Sequence, residues 1–234
     1  MSEPTITRVE PLRPRGLRAR VHLSRGEPLE VALEALERLS LGAGDALPSH
    51  RRHHLINADA DVRVRDAALN LLSHRARTRS ELRKKLLDRG HSGARIEACL
   101  RRLEDRGLLD DRAVASAFVR DRLRFRPRGP RRLSAELRAK GISADVAADV
   151  IADVLEEQEI SETDLAVEAA RQWLSRQGSG VVRAMGRGTR SPESEKARRR
   201  LRGYLGRRGF GGEPLREAME AAREAAGRDS DPGP

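Results

Sequence analysis

One short pattern occurs three times in this chain: Leu, three residues, Leu, three residues, and then Gly followed directly by a larger or apolar residue. The copies are Leu82, Leu86, Gly90 and His91; Leu133, Leu137, Gly141 and Ile142; and Leu201, Leu205, Gly209 and Phe210. Apolar or small residues continue at positions +6, +10 and +13 after each Gly. Because the three copies share one register, they predict a repeat protein.

The spacing also predicts the local structure of each copy. Residues four apart lie on one face of a helix, and Gly readily takes the left-handed conformation that ends one. In such a Schellman cap the residue after Gly touches the second Leu, so Gly90, Gly141 and Gly209 are structural. Ser92 and Ser143 can cap the helix that follows, and the first turn of a helix tolerates Pro214.

A further helix precedes each of these helix pairs. Apolar residues recur at helical spacing over 68–72, 114–123 and 165–173. Each unit is therefore predicted to hold three helices. The chain has 234 residues, of which 38% are hydrophobic and 35% charged, and thin three-helix units suit this composition better than one thick core.

The beginning of the chain follows a different pattern. Ile6 and Val9, a turn at 14–16 and strict alternation over 17–23 predict a β-hairpin. The helix predicted next carries a stripe of Leu29, Ala32, Leu33, Leu36 and Leu39. A second helical stretch is expected from Ser49 into Ala60, before the first repeat begins near Asp66.

These patterns divide the chain into five segments. Gly, Ser and Pro are frequent over 178–195, which predicts a long loop inside the third repeat. The segments are the N-terminal hairpin and helix over 1–46, a connecting helix and the first repeat over 47–109, the second repeat over 110–158, the third repeat over 159–226, and a disordered tail over 227–234.

The net charge of +11 favours an acidic surface or a polyanion as partner. The densest basic stretch joins the first two helices of the middle unit. It comprises Arg120, Arg122, Arg124, Arg126, Arg128, Arg131 and Arg132. Guanidiniums this close repel one another unless a partner supplies negative charge, so we interpret the stretch as a binding surface.

Smaller basic groups lie on the matching edge of each unit, and stacked units would join them into one basic strip. The candidates there for binding a partner or DNA are Lys84, Lys85, Arg89, Lys140, Arg199, Arg200, Arg207 and Arg208.

The repeat spacing also fits a helix-turn-helix, whose second helix would enter the major groove of DNA. In the middle unit that helix has no Lys or Arg between Ser143 and Glu157, and it carries five acidic residues. Phosphates would repel it, so sequence-specific reading of DNA through this helix is disfavoured.

No motif for catalysis or for a bound metal is evident. His50, His53 and His54 have no nearby Cys or converging acidic residues to complete a metal site. The single cysteine, Cys99, excludes a disulfide within one chain and is expected to be a buried thiol. The chain has neither a long apolar run nor a leader pattern. We expect a soluble, cytoplasmic, monomeric protein that is not an enzyme and needs no cofactor.

Several motifs, in order along the chain, resemble the RecX family of regulatory proteins, which act on the RecA recombinase. The matching residues are Ser80-Glu81-Leu82, Lys85-Leu86, Arg102-Leu103-Glu104, 107–111, Ala117-Phe118-Val119, Arg122, Gly129-Pro130, Leu133, Lys140-Gly141-Ile142, Tyr204-Leu205 and 207–210. The resemblance spans about 6–222. It implies an all-α chain of three tandem three-helix repeats that form an elongated arch after a small N-terminal β-hairpin and helix.

The same resemblance implies a function. A RecX protein binds the RecA filament on DNA, limits recombinase, ATPase and coprotease activity, and so regulates DNA repair and the SOS response. The alternative is a general basic repeat protein that acts without RecA and binds single- and double-stranded DNA non-specifically. That alternative predicts tight binding to naked DNA with a steep dependence on salt.

Overall fold

The computed structural model describes residues 3–12, 17–125, 127–186 and 191–228. Over these ranges the chain forms three β-strands and eleven α-helices. It divides into two compact units, 1–109 and 110–234. None of the described helices has the length and apolar character that crossing a membrane requires.

The first unit begins with an antiparallel sheet in the order β1-β2-β3. The strands are β1, Ile6–Leu12; β2, Arg18–Leu23; and β3, Leu29–Ala32. Val21 of β2 pairs with Val9 on one side and with Leu29 on the other. The predicted hairpin of β1 and β2 is confirmed, while its turn residues lie outside the described part of the chain.

The helix predicted to start near Leu29 is wrong over its first turn. Residues Leu29–Ala32 form β3, and helix α1 covers only Leu33–Arg38. The apolar spacing was compatible with either structure, and pairing with β2 decided for the strand. The buried carboxylate of Asp59 stabilises this end of the strand, because its Oδ1 accepts a hydrogen bond of 2.7 Å from the Ala32 amide.

Helix α2 runs without a break from Ser49 to His74, across the predicted gap between 60 and 66. No Gly or Pro interrupts these residues, so nothing in them ends the helix. Leu55, Ala58 and Val62 pack in the core under the sheet. Val64, Ala68 and Leu71 pack in the core of the first repeat.

The first repeat is completed by α3, Arg79–Leu87, and α4, Gly93–Asp105. The buried Thr78 caps α3 by accepting a hydrogen bond from the Glu81 amide at 3.1 Å. Both Leu residues of the repeated pattern are fully buried here, as are Ile96 and Leu100 of α4. The pattern thus marks the core of the repeat.

The second unit contains the other two repeats around one apolar core. The second repeat is α5, Asp111–Phe125; α6, Pro130–Ala139; and α7, Ala144–Glu157. The third is α8, Glu162–Leu174; α9, Ser179–Gly186; α10, Pro192–Arg207; and α11, Gly212–Arg228.

The long loop predicted over 178–195 is wrong where helix α9 forms, over Ser179–Gly186. Val181, Val182 and Met185 follow helical spacing, and Met185 is fully buried. The high Gly and Ser content of the segment concealed this short apolar face. Residues 187–190, and 229–234 of the predicted tail, lie outside the described residues. Residues 227 and 228, also assigned to the tail, are the last residues of α11.

The predicted Schellman caps are present in all three repeats. The amides of His91, Ile142 and Phe210 donate to the carbonyl oxygens of Leu86, Leu137 and Leu205 at 3.3, 3.1 and 3.1 Å. The three Gly residues have φ of +79°, +85° and +88°, as this cap requires. Ser92 and Ser143 cap the next helices, and each hydroxyl accepts a backbone hydrogen bond of 3.4 Å.

Candidate partner-binding surface

Three arginines of the basic stretch converge on one carboxylate. Arg122 lies on α5, Arg128 on the connector and Arg132 on α6, and all three reach Glu136 of α6. The Arg132 Nε is 2.7 Å and the Arg122 Nε 3.4 Å from a Glu136 oxygen, while Arg128 Nη1 contacts Oε1. We call these four residues the Glu136 cluster.

The Glu136 cluster carries three positive charges and one negative charge, and a second carboxylate, Asp121, lies 3.1 Å from Arg122. A fourth guanidinium comes from the third repeat, since Arg208 Nη1 donates to the Pro127 carbonyl oxygen at 2.9 Å. Burial lowers the pKa of Arg128, and the positive charges of Arg122, Arg132 and Arg208 also lower it, against the opposing effect of Glu136. The excess of positive charge favours an anion at this place.

Aromatic rings hold several of these cations in place. The Arg122 Cζ lies 4.4 Å and the Lys140 Nζ 5.4 Å from the centroid of Phe118. The Arg208 Cζ lies 4.6 Å from the centroid of Tyr204. Cation–π contacts of this length are attractive, so the cations are oriented before any partner binds.

The remaining arginines of the stretch have different surroundings. Arg120 forms an ion pair of 2.6 Å with Glu157, and Arg112 pairs with Asp153, so part of the acidic face of α7 is turned to α5. Arg124 and Arg131 are exposed. The Arg124 Cζ lies 5.3 Å from the ring of Phe125. Arg126 lies outside the described residues.

In the first repeat Lys84, Lys85 and Arg89 are exposed on α3 and just beyond its end. Arg89 Nη1 donates to the Ala67 carbonyl oxygen at 3.5 Å. Two other arginines of this edge belong to an internal network. Arg79 and Arg83 each lie 2.7 Å from Glu97, and Arg79 also lies 2.8 Å from Glu104.

In the third repeat Arg199 and Arg200 are exposed on α10, and Arg207 is exposed at its last position. Only Arg208 among these four candidates is brought to the Glu136 cluster. Within the described ranges no group of three or more His, Cys, Asp or Glu side chains is arranged to hold a metal ion.

Sequence reasoning missed Glu136 and Phe125. The spacing of Arg132 and Glu136, one helical turn apart, was a signal for that ion pair. The approach of Arg122 and Arg128 to the same carboxylate depends on tertiary folding and had no local signal.

Comparison with known proteins identifies the family. The family model for the first three-helix domain of RecX matches residues 65–103, and the family model for its second three-helix domain matches residues 110–151. A regulatory protein RecX from Halorhodospira halophila is 38% identical over 175 residues, which cover 75% of this chain and 95% of that protein. One from Prosthecochloris aestuarii is 31% identical over 164 residues, or 70% and 96% of the two chains.

Solved structures show the same fold. A crystal structure of regulatory protein RecX superposes with a TM-score of 0.72 at 22% identity, covering 93% of this chain and 99% of that one. The crystal structure of RecX from Lactobacillus salivarius gives 0.55 at 22% identity, over 70% and 97%. With its repeats, its caps and these relatives, the chain belongs to the RecX family of regulatory proteins.

Proposed function

We propose that this protein binds RecA and the RecA filament on DNA and restrains the recombinase, ATPase and coprotease activities of RecA. Through that restraint it would regulate DNA repair and the SOS response in the cytoplasm, as a monomer and without a chemical step of its own. Membership of the RecX family supports the regulatory role. The Glu136 cluster is the observation that carries a binding role for the second unit.

The chemistry of the cluster suits an anionic partner. Guanidinium groups match carboxylates and phosphates with two parallel hydrogen bonds, and both groups are available on a protein filament that holds DNA. Because Glu136 and Phe118 already orient Arg122, little side-chain freedom is lost when a partner binds. The exposed Arg124 and Arg131 extend the positive surface on either side of the connector.

The test replaces Arg124 and Arg131 together with Glu. Arg132 is left unchanged because it is bound to Glu136, and its removal would disturb the fold as well as the surface. The readout is inhibition of the DNA-dependent ATPase of RecA, and we expect the double variant to lose at least tenfold in inhibitory potency. Its far-UV circular dichroism should remain that of the wild type.

A matched control reverses Arg171 and Arg176, which are exposed in the same unit but are not part of the proposed surface. It makes the same change in net charge and should inhibit like the wild type. Full inhibition by the Arg124 and Arg131 variant would reject this surface. Equal loss in both variants would reduce the effect to overall charge.

The alternative of a general DNA-binding protein is tested by titration. A regulator of RecA should prefer RecA filaments to naked single- or double-stranded DNA at the same salt concentration. Equal affinity for both, with a steep loss on added salt, would favour the alternative.

A further inference from the structure

One aromatic ring in the second unit is exposed among arginines. Phe125 is the last residue of α5, and 66% of its surface is accessible to solvent. Aromatic residues are rare in this chain, with three Phe, one Tyr and one Trp. Phe210 and Trp173 are buried in the core of the unit, and Phe118 packs against it. Phe125 therefore contributes little to folding.

This ring lines two recesses. The first, of about 440 Å³, is lined by Phe125 together with Arg120, Asp121, Arg124 and Ile160. The second, of about 220 Å³, is lined by Phe125 together with Asp121, Arg122 and Arg128. Phe125 and Asp121 thus line both recesses, and each recess also has arginines at its wall.

Cations line both recesses. In the first, the Arg124 guanidinium lies 5.3 Å from the ring centroid. The second is lined by Arg122 and Arg128 of the Glu136 cluster, with its excess positive charge. An apolar ring flanked by cations is the arrangement that binds bases by stacking and phosphates by charge.

We propose that Phe125 is a stacking platform for an unpaired base of single-stranded nucleic acid. The base stacks on the ring, and the phosphates on its two sides are held by Arg124 and by the Glu136 cluster. This inference rests on the proposed function for the source of the strand, since a RecA filament is assembled on DNA. It adds the form of the nucleic acid and the residue that contacts the base.

The surroundings of Phe125 favour a single strand over the other partners. In a duplex the bases are already stacked and paired, so an exposed ring on a helix end has no base to receive. A protein partner would be expected to cover a larger apolar patch than one ring between charged side chains. A strand offers both an aromatic face and phosphates at each nucleotide.

The first experiment measures fluorescence anisotropy of a labelled oligothymidylate and of an abasic strand of equal length. The wild type should bind the base-containing strand about tenfold more tightly, because stacking on an aromatic residue contributes about that much per base. Phe125→Leu should lose this preference and bind both strands alike. The salt dependence should not change, since no charge is removed.

The control variant is Leu108→Ala, which removes an apolar side chain that is 53% exposed in the other unit. It should retain the preference for the base-containing strand. The inference is overturned if the wild type binds both strands equally, or if Phe125→Leu keeps the preference. It is also overturned if Phe125→Leu weakens binding to RecA alone and leaves binding to the strand unchanged, because the ring would then contact protein.

A second variant gives a direct signal of stacking. Phe125→Trp should retain the affinity, and its fluorescence should be quenched when a base stacks on the indole. The natural Trp173 is buried, so the wild type reports the background change. Quenching by the abasic strand as strong as by oligothymidylate would contradict stacking.

These measurements use naked strands and need no RecA, so they separate the two proposals. A wild type that prefers the base-containing strand but does not inhibit the RecA ATPase would refute the proposed function and support the platform. A wild type that inhibits RecA but does not distinguish the two strands would refute the platform alone.

Discussion

The backbone amide of Gly129 donates a hydrogen bond of 2.8 Å to the carbonyl oxygen of Arg208, joining the start of α6 to the end of α10. A Cβ atom on Gly129 would lie 2.6 Å from the Gly209 carbonyl oxygen, and one on Gly209 would lie 2.4 Å from the Arg132 nitrogen. The turn of the third repeat is therefore in backbone contact with the second repeat. Gly209 is needed both for its left-handed φ and for this close approach.

Gly129→Ala should destabilise the second unit by about 2 kcal/mol, because the added methyl group meets backbone atoms that can move only with their helices. Urea unfolding followed by the fluorescence of Trp173, which is buried in this unit, measures the change. Gly180→Ala is the control, since a Cβ at Gly180 meets no atom within 4 Å. If both variants unfold at the same urea concentration as the wild type, the close contact between the repeats does not contribute to stability.

Glu159→Gly should stabilise the second unit by about 1 kcal/mol. Glu159 lies two residues after the end of α7 and has φ of +54°, a conformation that Gly adopts without steric cost. The cap is otherwise the same as in the repeats, because the Ile160 amide donates to the Leu155 carbonyl oxygen at 3.0 Å. Glu159→Ala removes the charge but keeps the strain, so only the Gly variant should need more urea to unfold, as measured with Trp173. Equal stabilisation by both would assign the effect to charge.

Asp59→Ala should destabilise the N-terminal sheet by about 3 kcal/mol. The buried carboxylate accepts hydrogen bonds from the Ala32 amide and from Arg63, each at 2.7 Å, and from Arg18 at 3.1 Å. Its removal leaves the buried Ala32 amide without an acceptor and takes away the carboxylate partner of Arg18 and Arg63, which keep the Glu30 carbonyl oxygen as an acceptor. Hydrogen exchange of β2 and β3 should accelerate, whereas the exposed Asp66→Ala should leave it unchanged. Slow exchange in the Asp59 variant would show that strand pairing alone holds β3.

Glu97 should make the stability of the first unit dependent on pH. Hydrogen bonds from Arg79 and then Arg83 lower the pKa of this carboxyl group. A lowered pKa in the folded state gives stability that is present above the usual pKa of Glu, about 4.3, and is lost as the pH falls through the folded value. The stability difference between wild type and Glu97→Gln should thus be larger at pH 7 than at about pH 3.

Urea unfolding followed by circular dichroism at the two pH values measures that difference. Asp105→Asn removes the same charge from the end of the same helix and is the control. If the stability difference between wild type and Glu97→Gln instead grows as the pH falls, the network with Arg79 and Arg83 does not stabilise the folded state.

The sequence was informative where structure depends on neighbours within one helical turn. The Leu spacing and Gly141 suffice to predict two helices and the cap between them, because each contact is local. Strand β3 was missed because the spacing of Leu29, Ala32 and Leu33 fits either a helix or a strand. Residues 29–32 form a strand because they pair with β2 and because Asp59 binds the Ala32 amide, and both partners lie elsewhere in the sequence.

The candidate site, too, could be predicted from the sequence only in part. The density of arginine was visible in the sequence and indicated a binding surface. Which arginines are bound within the protein was not visible, since Arg120 meets Glu157 and Arg128 meets Glu136 only after the helices pack. The exposure of Phe125 likewise depends on where α5 ends relative to the core.

The continuity of α2 has a consequence for how the first unit can be cut. A truncated chain that starts at residue 65, where the first family match begins, would divide this helix and remove Val64 from the core of the first repeat. The remaining piece of α2 would be too short to hold its shape without packing, and it would start without a cap. The N-terminal sheet and the first repeat both pack on α2, so we expect them to unfold together in one cooperative transition.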